Sequence, residues 1–145
     1  MRARIVALAL GVAGGVWLVG AASGDNPADG VLAEMGRPYF ERYCASCHGL
    51  SGAGDGPTAG VLRERPADLR LIAVRRGGNF PDGEIAQYID GRFDVKAHGS
   101  REMPVWGERF SQDIPEPEVA DAIARGKIVV LIEYLKSIQV RGEVP

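Results

Sequence analysis

An all-α fold is predicted by three features of the sequence. Ile128, Leu131, Ile132, Leu135 and Ile138 recur at i, i+3, i+4, i+7 and i+10, laying one apolar stripe along a helix. No run alternates apolar and polar side chains as a half-buried strand would. Between the helical segments lie long Gly- and Pro-rich stretches, "GLSGAGDGPTAG", "RRGGNFPDG" and "GRFDVKAHGSREMPVWGE". Loops of that length suit a compact domain when they wrap something large and buried.

The chain opens on Arg2 and Arg4, an 18-residue apolar run from Ile5 to Ala22, and then "SGDNPADG". A basic start, an apolar middle and a small-residue exit make a secretory signal peptide of residues 1–22, with cleavage near Ala21 to Ser23. The alternative is an uncleaved membrane anchor through residues 5–22, at the lower limit of a bilayer span. Either places the folded body outside the cytoplasm. Residues 23–30 read as a flexible lead-in, 31–140 as one domain and 141–145 as a C-terminal tail. Without residues 1–22 the chain keeps 15 basic and 19 acidic side chains, a net charge of −4, which argues against a nucleic-acid partner.

The first helix is expected from Val31 to Cys44, where Met35, Tyr39, Phe40 and Tyr43 fall at helical spacing. A second, short helix is expected from Gly83 to Asp90, with Asp82 as N-cap and Gly91 as stop. A weaker one covers Ala67 to Arg75. The last begins near Pro117, after "IPEPE", whose proline and acids suit a helix N-terminus. Gly126 is its weak point.

The two cysteines of the chain stand three residues apart in "YCASCHG", with His48 directly behind. Four chemistries compete for them. A disulfide between Cys44 and Cys47 would close a tiny loop and gain little. A thiol–disulfide exchange site needs its CxxC at a helix N-terminus beside strands, whereas this one ends a helix. Zinc has the count, with Cys44, Cys47, His48 and His98, but adjacent Cys47 and His48 would have to bind one tetrahedral ion together. Covalent haem suits the spacing directly: C-x-x-C-H lets each cysteine add to one vinyl group and puts His48 beneath the iron.

With these residues the chain resembles the class I, single-haem cytochromes c. The likeness extends beyond the attachment motif. Gly36 and Phe40 precede Cys44 by eight and four residues, and the last helix carries "LIEYLK" with Leu131 and Tyr134. The family uses such residues where its first and last helices cross. "GLSGAGDGP" and "RPADL" look like the loop after the attachment site, and "MPVWG" like the loop bearing the methionine ligand. The resemblance covers about residues 31 to 140. The stretch from Leu71 to Arg101 departs from the shortest members.

The resemblance implies a small fold of helices and long loops around one covalent haem c per chain. Cys44 and Cys47 carry the thioethers, and His48 and Met103 are the axial iron ligands. His98, five residues before Met103 in the same loop, is the competing ligand. The carbonyl of Pro66, or else of Pro57, would accept the His48 ring N–H. Arg63, Arg65, Arg70, Arg75, Arg76 and Arg92 could hold haem propionates, against the plainer reading of a solvated charged face. Trp106 and Tyr88 could wall the haem or simply pack. Met35 is expected to fill core. "GAGDG" is not a phosphate loop, since no GK[ST] follows it. The function implied is single-electron transfer between redox protein partners, a dehydrogenase or reductase as donor and an oxidase or reductase as acceptor, with no catalytic residues. Two alternatives stand beside it: a haem-based catalyst or gas sensor with a displaceable Met103, and a cytochrome subunit fixed in a dehydrogenase or oxidase complex.

Overall fold

Two helices set the architecture, and small residues let them meet. In the computed structural model, which describes residues 27–92 and 103–140, helix α1 runs Pro27–Tyr43 and the last helix, α5, runs Pro117–Ser137. α1 turns Ala33, Gly36 and Phe40 inward, a stripe of two small residues and one large ring. α5 answers with Val130, Leu131 and Tyr134, all buried. A Cβ added at Gly36 would overlap the Val130 carbonyl oxygen and stand 2.9 Å from the Cβ of Tyr134. Only glycine allows that approach. Phe40 and Tyr134 meet there with ring centroids 5.0 Å apart. Phe40 and Leu131 are the largest side chains that are fully buried among the described residues.

Three shorter helices complete the described residues: α2 (Ala45–His48), α3 (Asp82–Asp90) and α4 (Trp106–Ser111). Single 3₁₀ turns lie at Ala59–Val61, Leu69–Leu71 and Val74–Arg76. No strand occurs among the described residues, so the all-α expectation holds. α3, α4 and α5 share one core, with Ile89, Phe110, Ala124, Ile128, Ile132 and Leu135 buried together.

Several boundaries differ from expectation for identifiable reasons. α1 starts at Pro27, so Pro27–Gly30 of the expected lead-in are helical. Met35 does not fill core: it lies outside the Ala33–Gly36–Phe40 stripe and is exposed. α3 begins at Asp82 rather than being capped by it, and the Asp82 carboxylate instead pairs with Lys136 of α5 at 3.3 Å. Gly91 does stop α3, with φ 68°. The weak helix expected over Ala67 to Arg75 is two separate 3₁₀ turns. α4 falls where the sequence predicts loop. Its six residues have no helical period to read, and packing holds them: Trp106 and Phe110 stack at 5.6 Å, and both meet Tyr43 edge-on, at 5.5 and 5.3 Å.

A charged network ties α3 to α5. The buried Asp90 carboxylate accepts from Arg92 Nε at 2.6 Å and Nη2 at 2.7 Å, and Arg92 Nη1 reaches Asp121 at 2.8 Å. Arg92 holds the Asp90 carboxyl below the usual aspartate range, against the opposing pull of burial. No described helix is long and apolar enough to cross a membrane. The expected leader (1–22) and tail (141–145) lie outside the described residues.

Candidate functional site

The helix of α1 scarcely ends before α2 begins. The Cys44 N–H still donates to Phe40 O at 2.8 Å, and then Cys47 and His48 N–H both reach Cys44 O, at 3.1 and 2.9 Å. Cys44, Cys47 and His48 therefore stand at i, i+3 and i+4 on one helical turn, which projects them to one side. Gly49 leaves that turn at φ 78°, and the chain folds back: Gly54 N–H donates to His48 O at 2.8 Å and Gly56 N–H to Cys47 O at 3.1 Å.

The two thiols are free and differ in surroundings. Burial pushes the Cys44 thiol up to about 12, with the neighbouring Cys47 adding to the effect. A thiol so protonated is a poor nucleophile for disulfide exchange, which works through a thiolate of lowered pKa. Cys47 Sγ lies 3.2 Å from Thr58 Oγ1, whose hydroxyl donates to Ser46 O at 2.7 Å. Thr58 was not singled out from the sequence. Its only signal there is a hydroxyl in the loop after the motif.

His48 is half-buried, and its ring is held. Nδ1 stands 3.1 Å from the Ala67 carbonyl oxygen. A carbonyl can only accept, so Nδ1 carries the proton and Nε2 keeps its lone pair. Burial lowers the pKa of the ring, with the Ala67 bond opposing it, which favours this neutral, ligating form. The acceptor is thus Ala67, not Pro66 or Pro57. "RPADL" locates the right segment, but the register is one residue on. Gly54 explains the displacement: at φ 77° it passes so close to Pro66 that an added Cβ would overlap the Pro66 carbonyl oxygen, which is therefore turned toward Gly54.

Met103 precedes α4 and is half-buried against the same core as Cys44. The Tyr43–Trp106–Phe110 aromatic cluster links its helix to the residue just before Cys44. The sequence separates Met103 from the motif by 55 residues, and the fold brings both to one core. His98 lies outside the described residues. Leu69, Phe80, Ile85, Ala86, Trp106 and Ile138 also pack on that core while keeping part of their surface uncovered.

The arginines are mostly engaged in structure. Arg70 forms a two-pronged pair with Asp68, Arg76 pairs with Glu84, and Arg92 belongs to the Asp90 network. Arg65 and Arg75 reach the backbone carbonyls of Gly54 and Asp68. Tyr88 is half-buried on α3.

The donor set decides what this site could hold. Among the described residues no three His, Cys, Asp or Glu side chains gather as they would around a metal ion. The site therefore offers two thiols one helical turn apart and an adjacent imidazole whose Nε2 keeps its lone pair, while Met103 packs on the core that Cys44 also touches. Comparison with known proteins finds no family model, no curated protein and no solved structure that matches this chain.

Proposed function

We propose that the chain is a monohaem c-type cytochrome of the class I fold, passing single electrons between redox protein partners in the periplasm of a bacterial cell envelope. The observation that carries this reading is the tethered ring of His48. Cys44, Cys47 and His48 share one turn, and the Ala67 carbonyl holds Nδ1 so that Nε2 is left for an iron.

Haem c, once bound, supplies a one-electron ferric/ferrous couple. The chain's own residues then have four tasks. Cys44 and Cys47 anchor the cofactor covalently. His48 offers Nε2 in a fixed tautomer. Met103 offers a thioether, which with histidine raises the reduction potential. Leu69, Phe80, Ile85 and Trp106, half-buried on the same core, would supply apolar surface to keep water from the bound cofactor. None of these steps needs a catalytic acid, base or nucleophile.

The test is to express the full chain with a c-type maturation system, extract it with acid–acetone, and record spectra in both oxidation states. Haem retained by the polypeptide and low-spin iron in both states support the reading. Haem that leaves entirely with the solvent overturns it. The partial exposure of Met103 favours one second reading, a haem catalyst or gas sensor in which this ligand is displaced. Carbon monoxide binding to the intact reduced protein decides for that alternative.

A further inference from the structure

Gln139 lies just past the end of α5, and its side chain makes three hydrogen bonds to backbone. Nε2 donates to Leu69 O at 2.9 Å and to Leu135 O at 2.6 Å, and Oε1 accepts from Ala73 N–H at 2.9 Å. Two acceptors at one end and a donor at the other fix the orientation of the amide. The next residue continues the attachment, with Val140 N–H donating to Arg70 O at 2.9 Å. No other residue type could satisfy all three partners: glutamate lacks the donor, and asparagine is a methylene short.

The segment so held needs holding. Residues 69–76 contain only two single 3₁₀ turns. On its other side the segment is tied by Leu69 N–H to Gly52 O at 2.8 Å, and the Asp68 carboxylate accepts from Arg70 N–H at 3.0 Å. Ala67, which accepts from the His48 ring, stands two residues before Leu69.

We infer that Gln139 is a positioning residue for His48. By holding Leu69 and Ala73 against the end of α5, it sets where the Ala67 carbonyl lies, and so the strength of the Nδ1–H bond. A strong bond there makes the imidazole more electron-rich and Nε2 a better donor to a ferric centre. The effect on the iron rests on the cytochrome reading. The effect on the ring N–H does not.

The experiment compares Gln139→Ala and Gln139→Glu with Ile128→Val in the full haem-loaded chain. Ile128 is a buried α5 residue, so Ile128→Val loosens the core without touching the Gln139 bonds. Three quantities are read: the exchange rate of the His48 Nδ1 proton by NMR in the reduced protein, the midpoint potential, and the urea midpoint. Gln139→Ala is expected to speed exchange on the order of tenfold, the loss of about one hydrogen bond's worth of protection, and to shift the potential upward. Gln139→Glu, which keeps the Ala73 acceptor but sets a carboxylate oxygen against the Leu69 and Leu135 carbonyls, is expected to move both at least as far. Ile128→Val lowers the urea midpoint and leaves the other two unchanged. A Gln139→Ala protein that is destabilised but keeps wild-type exchange and potential overturns the inference. So does an Ile128→Val protein that moves both as far. If the wild-type chain holds no haem, the cytochrome reading fails, and the same proton-exchange comparison made on the haem-free chain decides whether Gln139 positions His48.

Discussion

Gly36 lies against Val130 so closely that its own missing side chain is the contact: a Cβ there would overlap the Val130 carbonyl oxygen and approach its carbonyl carbon to 2.7 Å. Backbone, unlike the end of a flexible side chain, cannot step aside. Gly36→Val is therefore expected to force α1 off α5 and cost about 3 kcal/mol, the upper end of overpacking. Because Cys44 follows directly on α1, the loss falls on the turn that carries Cys44, Cys47 and His48. A urea melt with an unchanged midpoint would remove this packing account.

Gly126 gives the opposite expectation. It sits exposed within α5, with nothing within 4 Å of an added Cβ. Gly126→Ala therefore gains helix propensity at no steric cost, a stabilisation of about 0.5–1 kcal/mol. The check is a higher urea midpoint with an unchanged slope.

The two glycines show what a sequence carries. Helical spacing locates α5 and its stripe from Ile128 to Leu135, a local pattern with one dominant cause, the burial of one helical face. The crossing at Gly36 and Phe40 is expected from the resemblance to the class I cytochromes c, not from spacing, and the close approach of Gly36 to Val130 agrees with it. That Cys44, Cys47 and His48 share one turn is legible because the three are neighbours in the chain. What escaped notice depends on distant partners. α4 is six residues stabilised by Tyr43, more than sixty positions earlier. The acceptor for His48 moved from Pro66 to Ala67 because Gly54 presses on Pro66. Gln139 reaches Leu69 and Ala73 across 70 and 66 positions, and no spacing rule reports such a bond.

Asp90 makes stability depend on acid. Its carboxyl is held below the ordinary aspartate value of 3.8, first by the side-chain hydrogen bonds from Arg92. A depressed folded-state pKa means the stabilisation is full above the unfolded value and is lost as pH falls through the folded one. Asp90→Asn should therefore cost about 1–3 kcal/mol near neutrality, by leaving Arg92 facing an amide. The gap between variant and wild type should narrow steadily below pH 3.8. Urea melts at pH 7 and at decreasing acidic pH check this, and a gap independent of pH counts against the ion pair.

The final prediction concerns Met103 and rests on the proposed function. Met103 is half-buried on the core that also holds Cys44, and the Trp106–Phe110 stack fixes the helix that follows it. Removing its thioether should not disturb Cys44, Cys47 or the His48–Ala67 bond, so Met103→Ala should leave haem covalently attached. It should instead open one axial position. The expected signs are loss of the weak near-infrared sulfur-to-iron band of the ferric form, a lower reduction potential, and new binding of carbon monoxide to the ferrous form. The fall in potential follows from replacing a neutral thioether, which favours ferrous iron, by water or a harder donor. His98→Ala is the matched comparison, since His98 is the other side chain expected to reach the iron from that stretch. If Met103→Ala is spectrally silent and His98→Ala produces all three changes, the sixth ligand is His98, and the carrier would work at a lower potential than a Met/His pair provides.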